Sequence, residues 1–344
     1  MVNNEDSLRS HGVTAIVTKA IAPHHPMAIS AYHSSSFSAF VRSSVQRVLK
    51  NFGYAFHRAD ILEHWEARKC PGVKPGHFYS PHPDLDEVRR QEASIFSYEK
   101  EILDIDFREA EQLQILQALA SLQPTITFPK KKSSGFRYYF HNPAYSYADA
   151  LALHGMLRLI KPQRLIEVGC GYSSAMALDT NELCFENSIK MTFIEPHPQL
   201  LHELAKPEDK ERITIIPSRL QDLSPEFFSQ LEKGDVLFID STHVSKVNSD
   251  VNFIFFEILP RLNAGVYIHF HDVFYPFEYP KEFVYDGRAW QELYILRAFL
   301  QNNPCYEIVY FQDFLFRKHR PYFEEHLPLF MKHGGAQIWL RKVR

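Results

Sequence analysis

The chain is predicted to be an α/β protein. A seven-stranded, mostly parallel sheet with helices on both faces follows a mainly helical N-terminal extension. Three observations predict it. From residue 145 onward, apolar runs of strand length alternate with helical patterns. One run, Arg164-Leu-Ile-Glu-Val168, passes through two closely spaced glycines, Gly169 and Gly171, into the helical stretch Ala175-Met-Ala-Leu178. Several other runs end in polar or charged residues, as suits a sheet whose strand ends face a ligand. Short apolar runs bounded by turns read as buried parallel strands, and their alternation with helices implies right-handed βαβ crossovers.

Residues 1–35 are rich in Ser, His and Ala without a sustained period, and are expected to form a poorly ordered arm. Residues 36–144 are expected to form a mainly helical extension or lid. Within it Phe37, Phe40, Val41, Val45, Val48, Leu49 and Phe52 fall on one helical stripe. Such a stripe suits packing on the same chain, on a second subunit of a homo-oligomer, or on a membrane surface. The aromatic, Pro-rich Phe78-Tyr-Ser-Pro-His-Pro-Asp84 reads as extended or turn-like, either a structural loop or an aromatic lid. Helical patterns follow at 85–96 and 107–122. Lys130-Lys-Lys132 sits in a solvated Ser/Gly loop. The polar-aromatic stretch from Tyr138 to Asp149 precedes a helix at 150–160 and is expected beside the glycine turn. The strands are then 164–168, 190–195 (stopped by Pro196 and Pro198), 213–216, 235–240, 266–272, 306–311 and 336–341, with a helix at 289–301.

Composition narrows the function. The 344 residues suffice for one large domain and an appendage. A formal net charge of −3 gives no electrostatic ground for a nucleic-acid partner. Cys70, Cys170, Cys184 and Cys305 form no Cys-x-x-Cys pair, so neither a disulfide framework nor a thiolate zinc site is indicated. The N-terminus carries Asn, Glu and Asp where a signal peptide is basic. Its best apolar stretch, 13–22, contains Lys19 and is too short for a bilayer. A cytoplasmic protein without a membrane span is expected.

The strand ends suggest the chemistry. Unpaired N–H groups at a helix start suit an anionic or strongly hydrogen-bonding cofactor. Glu167 argues against a pyrophosphate, which it would repel, and for an amine or sulfonium. Ser174 stands where a dinucleotide fingerprint has its third glycine. Glu-x-Gly-x-Gly therefore favours S-adenosylmethionine (SAM) over NAD. Glu195, 24 residues past Gly171 (195 − 171), suits an acid gripping ribose hydroxyls. Gln221 and Asp222 follow the third strand, where an adenine edge would lie. Asp240-Ser-Thr-His243 and His271-Asp272 close adjacent strands. Two carboxylates and an imidazole there suit Mg²⁺ or Mn²⁺, and a neutral His beside them can take a proton.

These residues resemble the class I SAM-dependent methyltransferases. The resemblance rests on Glu167-Val-Gly-Cys-Gly171, Glu195 and the final Gln337-Ile-Trp-Leu340 run, and covers roughly residues 145–344. It implies a Rossmann-like domain whose last strand is antiparallel. It implies that Glu167, Gly169, Gly171, Tyr172, Ser173, Glu195, Gln221 and Asp240 bind the cofactor; many relatives carry a glycine where Ser173 stands. The Asp-x-x-His arrangement resembles metal-dependent sugar O-methyltransferases. Carried over, Asp240 and Asp272, with His271 in place of a carboxylate, hold the metal, and His243 is the general base. The expected function is methyl transfer to an oxygen of a small-molecule or glycan acceptor. Metal-independent N-methylation and non-catalytic SAM binding are the alternatives. A nicotinamide oxidoreductase is disfavoured by the missing glycine and the lack of any Tyr-x-x-x-Lys pair.

Overall fold

The computed structural model describes residues 75–344, together with the backbone of two short strands before them. Those strands, β1 (Ala15–Lys19) and β2 (Tyr54–Arg58), pair antiparallel with Ala15 opposite Arg58, so the arm expected at 1–35 carries a strand. The helix expected at 37–52 lies outside the described residues. The chain divides into two units, Met1–Lys74 and Pro75–Arg344. Residues 75–144 thus belong to the larger unit.

The larger unit is built on a seven-stranded sheet. Its strands are β3 (Arg164–Val168), β4 (Lys190–Ile194), β5 (Ile213–Ile216), β6 (Val236–Ile239), β7 (Tyr267–His271), β8 (Tyr306–Phe311) and β9 (Gln337–Lys342). The order is β5-β4-β3-β6-β7-β9-β8. The first five run parallel, while β9 lies antiparallel between β7 and β8. This is the Rossmann-like sheet expected. The four residues of β6 are all buried, as a strand covered on both faces requires.

Helices α1 (Glu109–Leu122), α2 (Tyr147–Ile160), α3 (Tyr172–Phe185) and α4 (Glu292–Leu300) surround it. The pattern at 85–96 is broken into Leu85–Arg90 and Glu92–Ile95. Ahead of α2, the 130–146 segment is clamped to α3 through a buried Arg137. Its guanidinium reaches Asp179 at 2.8 Å, Glu182 at 2.7 Å and Asp209 at 2.5 Å. A charge so buried persists only when fully paired, which explains three carboxylates around one arginine. No helix among the described residues is long and apolar enough to cross a membrane.

Candidate active site

The strand ladders bring the predicted residues to one edge. Beyond Val168, the Asp240 N–H donates to the Val168 carbonyl at 2.9 Å, and the Gly169 N–H donates to Ile194 at 3.0 Å. The Glu195 N–H donates to Ile216 at 3.1 Å. Gly169, Glu195 and Asp240 therefore share the carboxyl edge, where ligands bind in such sheets. Gly169 has φ +78°, and a Cβ there would meet the Asp240 carbonyl oxygen at 2.1 Å.

Glu167 does not face a ligand as a bare carboxylate. It is 1% exposed, and its Oε1 accepts from Ser173 Oγ at 2.6 Å and Ser174 Oγ at 2.9 Å. Burial pushes its carboxyl up to about 8 against the opposing serine hydrogen bonds. Ser174 Oγ in turn accepts from the Gly171 N–H at 3.0 Å. The serine replacing the third glycine braces the turn, so Glu167 and Ser173 act on the turn itself. Tyr172 opens α3 with its hydroxyl 3.1 Å from that of Tyr139. Half-buried Glu195 accepts from the His197 N–H at 2.8 Å. The Gln221 amide donates to the Asn248 carbonyl at 2.8 Å, and Asp222 pairs with Arg219 at 2.6 Å.

Across β6 and β7, Asp240, His243, His271 and Asp272 do meet. Sequence reasoning missed the group that orients His243. Glu292, first residue of α4, sets Oε2 at 2.8 Å from His243 Nδ1 while Oε1 accepts from Ser241 Oγ at 2.8 Å. The Gln291 and Glu292 N–H groups donate to the His243 carbonyl. Trp290 lies over the imidazole, with ring centroids 4.3 Å apart. His243 Nε2 is left 3.5 Å from Asp240 Oδ1 and 3.7 Å from Asp272 Oδ2. Both His243 and Asp272 hold left-handed backbone, with φ +60° and +54°. Such strain concentrates where function over-determines a conformation.

His271 lies in a cage of acids. Its Nδ1 is 3.6 Å from Asp240 and 3.9 Å from Asp272, and its Nε2 is 3.8 Å from Asp149 on α2. Asp149, also missed as a site residue, closes the polar-aromatic stretch expected beside the turn and accepts from the Ala336 N–H at 2.8 Å. Burial disfavours a charged His271, but Asp272, Asp240 and Asp149 overcome it and hold the ring protonated. Burial likewise opposes a charged His243, and the Asp240 and Glu292 carboxylates push it up to about 10. Burial would raise Asp240, but the two imidazoles hold its carboxyl far below the usual range.

This arrangement does not fit the divalent ion expected at Asp240, His271 and Asp272. Among the described residues no three His, Cys, Asp or Glu side chains are disposed to share one ion. The imidazolium of His271 stands among the carboxylates where a cation was expected.

Two raised values point the same way on stability. Glu167, with an ordinary value of 4.5 and a folded value of about 8, keeps more protons when folded between those pH values. His243 does so between 6.5 and about 10. Stability is therefore lost as pH rises through both windows. The melting temperature is expected to be higher at pH 6 than at pH 9, and Glu167→Gln to flatten the slope below pH 8; a flat profile in both proteins would contradict this.

Such a sheet, with a serine-braced glycine turn after its first strand and an acid closing the second, defines a class I methyltransferase-like fold. Comparison with known proteins agrees. Residues 166–273 match the Methyltransf_24 family, described as a methyltransferase domain. A protein of Archaeoglobus fulgidus, described only as uncharacterized, is 34% identical over 166 residues, covering 46% of this chain and 74% of the relative. The chain belongs to the family of that archaeal protein. Among solved structures it is similar to the SAH-bound methyltransferase PaMTH1 of Podospora anserina, with 16% identity over 71% of this chain and 100% of that one, TM-score 0.39. It is also similar to the SAM-bound O-methyltransferase TomG of Streptomyces achromogenes, with 14% identity over 75% and 96%, TM-score 0.39.

Proposed function

We propose that the protein transfers the methyl group of SAM to a hydroxyl oxygen of a small-molecule or sugar-like acceptor, with His243 as general base. The observation that carries this reading is the Glu292–His243 pair beside the glycine turn. A carboxylate on Nδ1 fixes the ring and leaves Nε2 at the rim, as a base needs. The methyltransferase-domain match supports the transfer itself.

Gly169, Gly171, Tyr172 and Glu195 would hold the cofactor, with Glu195 on the ribose and Gln221 at the adenine edge. SAM supplies an activated methyl on a sulfonium, so the protein mainly has to position and deprotonate. As the acceptor oxygen bonds to the methyl carbon, the carbon–sulfur bond breaks and the hydroxyl proton passes to His243 Nε2. Asp240, Asp272 and the His271 imidazolium fix the rim around that transfer. His243 must be neutral to act. A second positive charge beside the rim competes for the Asp240 carboxylate and favours proton loss from the ring.

The test is methyl-labelled SAM incubated with a panel of phenols, sugars and amines, with and without EDTA. Label on oxygen, undiminished by EDTA, is expected. Label on nitrogen alone would overturn the acceptor chemistry, and loss of transfer with EDTA would restore a metal to the rim.

A further inference from the structure

The rim has a neighbour that the methyl-transfer reading leaves unused. A cavity of about 620 Å³ opens between the helical segments at 85–95 and the 274–282 loop that follows Asp272. That volume is in the range of small-molecule sites. Arg89, Arg90, Tyr98, Phe274, Tyr279 and Arg317 are among its walls. Its wall is packed against His243 through two rings. Tyr279 meets Trp290 edge-on at 5.8 Å, and Trp290 covers His243 at 4.3 Å.

Two of the acids in this wall are satisfied, while Glu282 makes no side-chain hydrogen bond or ion pair among the described residues. Glu92 takes Lys281 at 2.7 Å and the Tyr285 hydroxyl at 2.9 Å. Glu278 accepts from the Tyr294 hydroxyl at 2.5 Å and has Lys100 at 3.8 Å. Arginine donors, by contrast, remain over. Arg317 gives Nε to Asp313 at 2.8 Å and stacks its guanidinium 3.6 Å over Tyr98, with no acceptor for its terminal nitrogens among the described residues. Among the described residues Arg89 bonds only Asp86, its neighbour one helical turn back, at 2.7 Å, and its guanidinium lies 5.6 Å from the Tyr285 ring centre. Arg90, exposed on the same helix, makes no side-chain hydrogen bond or ion pair among the described residues. Guanidinium forks beside aromatic rings match a carboxylate on a ring.

We infer that this cavity binds the ring-and-carboxylate end of the acceptor, so that the substrate class is a hydroxylated ring acid. The inference rests on the methyltransferase reading for the word acceptor, while the cavity's preference can be measured without it. Aromatic and sugar acids share this chemistry, so both are probed. The experiment is a calorimetric titration of the full chain, with SAH present, against 4-hydroxybenzoate and glucuronate and their uncharged counterparts 4-hydroxybenzamide and glucose. At least one acid is expected to bind about tenfold or more tightly than its counterpart, the range of a charge-assisted pair. Arg89→Gln combined with Arg90→Gln, both on the exposed helix, is expected to erase the preference and leave SAH binding unchanged. No binding of either acid at millimolar concentration overturns the inference, as does a preference that survives in the double variant. Acid preference without SAH binding supports the cavity and refutes the methyltransferase reading. SAH binding without acid preference does the reverse.

Discussion

His243→Gln is expected to lower the rate of methyl transfer by roughly 10²–10⁴-fold, the usual contribution of a positioned base, with SAH binding little changed. The geometry gives the reason. Among the described residues, His243 is the only imidazole at the rim whose second nitrogen is held by a dedicated carboxylate, Glu292 at 2.8 Å, and whose Nε2 is ringed by two others. Glutamine keeps polarity but cannot take a proton. The wild-type kcat/KM is expected to rise with pH toward about 10, because that is where the ligand-free ring loses its proton. Glu292→Gln separates a positioning residue from mere support. Removing that negative charge lowers the His243 pKa, so the acid limb of kcat/KM is expected to move to lower pH while the maximal rate falls. A rate that drops with no movement of the limb would assign Glu292 to structure alone. Unchanged transfer in His243→Gln would remove the base from the account.

Gly169→Ala is expected to cost about 2–5 kcal/mol of stability and to abolish SAH binding. Two independent penalties add. A left-handed φ of +78° is costly for alanine by roughly 1–2 kcal/mol. The new Cβ would lie 2.1 Å from the Asp240 carbonyl oxygen, a backbone atom that cannot swing aside. Relief requires the ends of β3 and β6 to part, against the Asp240 N–H to Val168 bond at 2.9 Å, and such overpacking costs roughly 1–3 kcal/mol. Gly171→Ala is the control. Its φ is 175°, ordinary extended backbone, and the nearest atom to an added Cβ is the Leu200 side chain at 3.4 Å. A thermal melt and an SAH titration on both variants check this. Equal losses at both glycines would show that neither the close approach nor the backbone angle matters.

What the sequence made legible was periodic. Each sheet strand was visible within about two residues, because every one is an apolar run bounded by Gly, Pro or a charge. The antiparallel β9 came only from the resemblance, since its apolar pattern looks like that of a parallel strand. At the site, Asp240, His243, His271 and Asp272 were found because they close neighbouring strands. Glu292 and Asp149 were not. Each sits near the start of a helix remote in sequence from its partner, and no local spacing links residue 243 to residue 292. The Glu167 environment misled for another reason. A carboxylate before a glycine turn has one sequence signature whether it faces a ligand or, as here, two serine hydroxyls behind the turn. The metal set failed on placement: the side chains approach one another in pairs, but among the described residues no three are disposed to share one ion.

The most direct test of the central claim is calorimetric titration of the purified protein with SAH, with and without EDTA, wild type beside Glu195→Ala. The account predicts wild-type binding that EDTA leaves unchanged. It predicts that Glu195→Ala weakens binding about tenfold or more, the value of a hydrogen-bonded carboxylate on a hydroxyl pair. No binding of SAH by the wild type under either condition would contradict it.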